Sequence, residues 1–135
     1  MQWGGYGTDI PGLTNYSSSP HTTDFNGKSN TSKIVSALGS GTGYAAGYCN
    51  AYSKGGVSGW YLPAQGELYA SVWTNKTAVN AGLSAAGGTA IQSGWHWSSS
   101  ESTTSPRGSW APVAAMWAAA VRAATVTSGV SSLFN

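Results

Sequence analysis

Glycines 39, 41 and 43 fall in the middle of the longest helical pattern in the first half of this chain, and they limit its architecture more than any other feature. Glycine loses more backbone freedom on folding than any other residue and costs about 1 kcal/mol in a helix interior. Thr31 or Ser32 offers an N-cap before Ile34, Val35 and Leu38, and helical spacing resumes with Tyr44, Tyr48 and either Ala51 or Tyr52. A helix is therefore predicted over 31–53, kinked or split at the glycines. Nineteen glycines in 135 residues, among many Ser and Thr, favour a loop-rich architecture over a helical bundle.

Elsewhere the pattern changes several times. Residues 1–30 carry turn signals at Gly4-Gly5, Pro11-Gly12, Pro20 and Asn26-Gly27, and read as a loop-rich lead-in with room for one strand. "SGWYLP" reads as a short strand closed by Pro63. A second helix is predicted from Ala64 to Leu83, with Leu68, Val72 and Val79 inward and Glu67 in the first turn, where a carboxylate suits the positive helix end. "WHWSSSES" alternates Trp95 and Trp97 with His96 and Ser98, as a half-buried strand does. "SWAPVAAMWA" and "AAVRAATVTSGV" are candidates for two further strands. Two helices followed by an antiparallel sheet make an α+β arrangement within a single domain spanning 1–135.

Charge excludes one class of partner. Only 7% of residues are charged, and the net charge of +2 is scattered, so the chain has no basic stripe to neutralise phosphates and no nucleic acid is expected. Seven Trp and seven Tyr supply far more aromatic surface than disordered chains carry. No segment approaches the ~18 apolar residues of a membrane span, so no membrane insertion is expected, and any export signal lies outside this chain. The single cysteine, Cys49, rules out an internal disulfide and reads as a small buried apolar residue.

Contiguous catalytic motifs are missing. His21, His96, Asp9, Asp24, Glu67 and Glu101 are dispersed, which favours surface or hydrogen-bonding roles over a metal or acid–base site. Gly41-x-Gly43 lacks the preceding strand that a dinucleotide-binding turn needs. Ser98-Ser99-Ser100 lacks the glycine-flanked elbow of a catalytic serine and reads as a turn and hydrogen-bonding run. Glu101, just after the Trp-rich stretch, is expected to accept hydrogen bonds that hold the following loop.

Three segments, "DFNGKSNTSKIVSALG", "AAGYCNAYSKGGVSGWYLPAQGELYASVW" and "WHWSSSES…SW", together resemble the Lcl-C/DUF1566 family of C-type-lectin-like domains, a fold also used by the variable proteins of diversity-generating retroelements. The resemblance covers most of residues 3–110. Its most specific parts are Gly59-Trp60-Tyr61-Leu62-Pro63 followed by Glu67-Leu68, and Trp97-Ser98-Ser99-Ser100-Glu101. It implies a C-type-lectin-like fold, two helices packed on small antiparallel sheets, with a binding face on the C-terminal strands and loops. Trp60, Leu62, Leu68, Trp97, Glu101 and Trp110 would be scaffold. Family members commonly close with a strand holding a Val-Arg pair, whereas here Val121-Arg122 is followed by residues 123–135, so the register of the tail departs from the pattern.

The same resemblance offers an account of "AAMWAAAVRAAT" at 114–125. In retroelement-diversified members, miscopied template adenines turn asparagine codons into codons for Ala, Ser, Thr, Val, Pro, Arg or Gly, the set that dominates residues 102–128. AAC cannot become Trp or Met by this route, which sets Trp110, Met116 and Trp117 apart. Residues 95–130 would then carry a variable face, with His96, Ser102, Thr104, Arg107, Ala111, Val113, Ala115, Met116, Trp117, Ala119, Arg122, Thr125 and Thr127 as ligand-binding positions. The alternative is that residues 111–128 form a tightly packed sheet, with alanines where another element approaches closely.

The expected function is a non-enzymatic ligand- or receptor-binding module on a phage tail, virion or bacterial surface. Its partner would be a cell-surface protein or glycan receptor, and display on a larger assembly would add multivalency or homo-oligomerisation. Two other functions compete with it. One is a structural cap or adhesin-tip domain of a fibre or pilus without diversification. The other is an enzyme like the related formylglycine-generating proteins, whose chemistry needs reactive thiols and a metal that a lone Cys49 does not supply. No cofactor is expected, and a lectin-type calcium site would be assembled from separate loops. On this division, Trp60→Ala or Trp97→Ala costs about 3–5 kcal/mol of unfolding free energy in denaturant melts. Polar residues at Ala114, Ala115, Ala118 or Thr125 leave the melting midpoint near its parent value.

Overall fold

The computed structural model describes residues 1–5, 8–91, 96–102 and 121–122. Helix α1 (Gly27–Leu38) buries Gly27, Asn30, Thr31 and Ile34, the three- and four-residue spacing of one helix face. It starts earlier than the sequence predicts. Asp24 Oδ1 accepts the Asn26 backbone N–H at 3.1 Å, a side-chain turn that winds the chain into the helix at Gly27. Thr31 is therefore a buried helical residue rather than an N-cap.

Gly39 ends α1 with φ 87°, a left-handed conformation open to glycine, and donates its N–H to Val35 at 2.8 Å. The Tyr44 hydroxyl donates to the Gly39 carbonyl, and the chain turns into α2 (Ala45–Ala51), which buries Ala45, Ala46, Gly47 and Cys49. A Cβ at Gly47 would lie 2.0 Å from the Gly41 carbonyl oxygen, so the glycine run packs directly on this helix. The predicted 31–53 pattern is thus two helices.

Strand β2 (Trp60–Tyr61) is entered through a tight turn at Lys54–Val57, whose central Gly55 and Gly56 have φ 58° and 76°. Two consecutive positive φ values define a hairpin turn that glycine adopts without strain. The Trp60 indole N–H donates to Val57 at 3.0 Å, and its ring meets Tyr52 edge-on.

The second predicted helix is also divided. Helix α3 (Gln65–Glu67) runs into a π-helical turn over Leu68–Trp73, and α4 (Lys76–Ala85) follows. Thr74 N–H reaches back five residues to Tyr69 at 3.0 Å, and the Asn75 side chain bonds the Ala70 carbonyl at 2.9 Å. These bonds satisfy the carbonyls that a continuous α-helix would use. Leu68 and Leu83 are buried, while Val72 and Val79 are only partly covered.

One core gathers Trp3, Ile10, Ile34, Tyr44, Ala45, Ala46, Cys49 and Leu62, with Leu13, Val35, Leu38 and Trp97 packed against it. Thr31 joins this core to β2. Its hydroxyl oxygen accepts the Leu62 N–H at 3.0 Å and lies 3.1 Å from the Leu62 carbonyl and 2.8 Å from the Gly27 carbonyl. A helical side chain thereby does for Leu62 what a neighbouring strand would do.

The strands are short, and of the two pairs one is antiparallel, as in the expected small antiparallel sheets, while the other is parallel. β1 (Asn15–Tyr16) pairs in parallel with β3 (Glu101–Ser102), Asn15 opposite Glu101. β2 pairs antiparallel with β4 (Val121–Arg122), Trp60 opposite Arg122 and Tyr61 opposite Val121. The mixed α and β content agrees with the α+β expectation. Thr31→Val, similar in volume, leaves the buried Leu62 amide unpaired. It is expected to cost about 1–3 kcal/mol in denaturant unfolding, while Thr31→Ser, which keeps the hydroxyl, costs less.

Candidate functional site

The segment 96–102 leads into the stretch that the sequence singles out for ligand binding, and its described part is bonded to distant parts of the fold. The Trp3 indole N–H donates to the Ser98 carbonyl at 2.8 Å, and the Trp97 indole N–H donates to Met1 at 3.0 Å. Ser99 N–H donates to Pro63 at 2.8 Å. Glu101 accepts the Ile10 N–H at 3.2 Å. The Glu101 carboxylate thus braces the N-terminal segment; the loop that follows it lies outside the described residues. Burial raises its pKa, the Ile10 N–H lowers it, and nearby Asp9 raises it further.

Asp24 is almost wholly buried beside this segment. Its carboxylate accepts the Ser100 hydroxyl at 2.6 Å, the Asn30 side-chain amide at 3.0 Å and the Asn26 N–H at 3.1 Å. Ser100 Oγ in turn accepts the Gln65 N–H at 2.9 Å, and the Asp24 carbonyl accepts the Gly66 N–H at 2.8 Å. One buried acid therefore ties together the start of α1, the start of α3 and the 96–102 segment. All of these donors are neutral, so the carboxylate is held by hydrogen bonds.

Glu67 does the reciprocal work from α3. It accepts the Ala64 N–H at 2.8 Å and the Tyr61 hydroxyl at 3.3 Å, and the nearby Gly27 N–H helps to lower its pKa. A Cβ on Gly27 would lie 2.1 Å from Glu67 Oε2, and one on Gly66 would lie 2.4 Å from the Asp24 carbonyl oxygen. Each helix start thus offers a glycine to the other's acidic residue. Burial raises the Glu67 pKa against the pull of the Ala64 and Tyr61 donors, and burial together with Glu67 pushes Tyr61 up to about 12.

Sequence reading places these acids apart, whereas the fold brings Asp24 close to Glu67 and Asp9 close to Glu101. The Asn26-Gly27 turn signal marks where the chain enters α1, but nothing in it points to Asp24. The contributions of Ser100 and Gln65 depend on contacts 76 and 35 residues apart, which no local pattern encodes.

Among the expected scaffold residues, Trp60, Leu62, Leu68 and Glu101 are buried and Trp97 is partly buried. Among the expected ligand-binding residues, Ser102 ends β3 and Arg122 ends β4. His96 departs from the expectation of a displayed residue. It is 7% exposed, and among the described residues neither its Nε2 nor the Ser99 hydroxyl has a hydrogen-bond partner. The reason is that residues 96–100 form no strand; the bonds from Trp3, Pro63 and Asp24 draw the segment inward. Thr104, Arg107, Trp110, Ala111, Val113, Ala115, Met116, Trp117, Ala119, Thr125 and Thr127 lie outside the described residues.

Cys49 is fully buried, and burial pushes its thiol up to about 11. Among the described residues no group of three or more His, Cys, Asp and Glu is placed to hold a metal ion, and no helix is long and apolar enough to cross a membrane. The chain matches no protein-family model, no curated protein and no solved structure. Its functional reading rests on its own geometry.

Burial lowers the His96 pKa from its ordinary 6.5 to about 3. Between those values the unfolded chain binds a proton that the native chain refuses, so His96 makes stability fall as pH falls. Glu67 and Glu101, whose pKa values are raised, act in the opposite sense: their contribution is present at low pH and lost as pH rises through their folded pKa values. Urea melts of the parent and of His96→Gln from pH 7 to pH 4 separate the two effects. The variant is expected to lose less stability toward acid than the parent.

Proposed function

We propose that this chain is a non-enzymatic ligand- or receptor-binding module with a C-type-lectin-like fold, in which residues 103–120 form the display segment. The observation that carries this reading is the anchoring of both flanks. On one side β3 pairs with β1 while Glu101 holds Ile10; on the other, β4 pairs with β2 at Trp60 and Tyr61. A segment whose two ends are fixed to separate parts of a packed scaffold can vary in sequence without altering the scaffold.

The side-chain chemistry supports the same reading. The four carboxylates occur at Asp9, Asp24, Glu67 and Glu101, and the last three are turned to backbone and hydroxyl donors within the fold. The one thiol is buried and held protonated, unlike the exposed thiolate that thiol chemistry requires. Acids used as internal acceptors and a sequestered thiol suit binding better than catalysis.

On this proposal the partner is a protein or glycan receptor at a cell surface, met by the chain on a virion, phage tail or bacterial surface. Thermal melts across a library randomised at residues 111–120, with Met116 and Trp117 kept and the β4 anchor left intact, test the display reading. Most variants are expected to melt near the parent, and members selected against whole bacterial cells are expected to differ in the cells they bind. General unfolding across the library would make these residues packing elements and overturn the proposal.

A further inference from the structure

A second surface, built by other residues, faces solvent on the π-helical side of the molecule. Among the described residues the exposed large hydrophobic side chains are Met1, Phe25, Tyr48, Tyr69 and Trp73. Three of these five lie along one short path. The Phe25 ring sits against Gly66, its Cζ 3.0 Å from where a Cβ would stand. Tyr69 follows three residues later and Trp73 four after that, the spacing that places side chains on one face of a helix. His21 packs edge-on to Tyr69 with ring centroids 4.8 Å apart, and the Lys76 ammonium lies 5.0 Å from the centre of the Trp73 ring.

This ridge is held in place by the buried network. Gln65 donates to the Ser19 hydroxyl, which pairs with His21 Nδ1 at 3.1 Å, and the Gln65 backbone is fixed through Ser100 to Asp24. His21, and through it the Tyr69 ring it packs on, is thus tied to the scaffold before any partner arrives, which lowers the entropy cost of binding. Half-exposed Trp and Tyr on rigid backbone are the side chains that dominate protein–protein binding energy. The π-helical turn beneath them is rare in proteins and frequent at functional sites.

Charge narrows the choice of partner. Asp24 and Glu67, the acids nearest to this ridge in the chain, are turned inward, and Glu101 is buried. Lys28, Lys33 and Lys54 are exposed, and Lys76 stands over Trp73. Among the described residues Asp9 is the one exposed acid, so the outer surface is more basic than the net charge of +2 conveys. A second copy of the chain would set like charges against one another. A nucleic acid strand needs more cations than this ridge carries.

We infer that the ridge of Phe25, Tyr69 and Trp73, with His21 and Lys76, binds an extended acidic segment of a protein partner. Proline or aliphatic side chains of that segment pack on the rings, and its carboxylates face Lys76. The helical spacing offers successive ring contacts along an extended chain, as aromatic-lined surfaces do for proline-containing peptides. The ridge is built from other residues than the display segment, so each is tested by its own variants.

The test uses three synthetic peptides, four repeats each of Glu-Pro, Gln-Pro or Lys-Pro, titrated into the isotope-labelled chain while backbone and indole N–H resonances are followed. The Glu-Pro peptide is expected to shift resonances of His21, Phe25, Tyr69, Trp73 and Lys76, with an affinity about tenfold above that of the Lys-Pro peptide. Trp73→Ala and Tyr69→Ala each weaken binding about tenfold. Lys76→Gln removes the preference for Glu-Pro over Gln-Pro. All three variants stay folded, with melting temperatures lowered by a few degrees at most because the altered side chains are only partly covered, and far-UV circular dichroism at the titration temperature checks this. Absence of shifts at these residues at millimolar peptide, equal response to the Glu-Pro and Lys-Pro peptides, or stronger binding of an oligogalacturonate than of Glu-Pro would overturn the inference.

Discussion

The buried carboxylate of Asp24 is the junction on which the rest of the structure depends. Removing an ionised group from water is costly unless every lone pair is satisfied, and here a hydroxyl, a side-chain amide and a backbone N–H supply the partners. Those partners come from α1 and from the 96–102 segment, while α3 is joined through Ser100 and the Asp24 carbonyl. Losing one donor leaves a buried acceptor short and loosens three elements together. The network sets the relative position of these elements as well as their stability.

Glycine makes the junction possible. Gly27 and Gly66 lie where a Cβ would collide with Glu67 and with the Asp24 carbonyl, respectively. The helix starts approach closely enough for the Gly66 N–H to reach the Asp24 carbonyl because neither glycine carries a side chain at the crossing. The chain's high glycine content therefore includes packing positions as well as turns.

The legible parts of the sequence were those governed by local physics. Gly39 and its neighbours announced the division between α1 and α2, because a positive φ is a property of one residue. "SGWYLP" announced β2, and free Cys49 announced its own burial. The hairpin at Lys54–Val57 is legible in Gly55-Gly56, whose pairing favours a turn with two positive φ values. The π-helical turn was not legible, because Leu68–Trp73 has ordinary helical composition and its altered bonding depends on Thr74 and Asn75. The alternation of Trp95, His96 and Trp97 suggested a strand face, yet the segment answers to Trp3, Pro63 and Asp24, all distant in the sequence. Its network was hidden because each acid looked isolated along the chain.

The attachment of β3 and β4 to different two-stranded sheets has a further consequence, for length. The intervening eighteen residues, 103–120, close a circuit whose ends are held by β1 and β2 rather than by each other. Closing such a circuit becomes costlier only logarithmically with the number of residues, by about 0.6 kcal/mol for each doubling. On the display reading proposed above, a change in the number of residues between β3 and β4 then costs the anchors little, and length becomes a second variable beside chemistry.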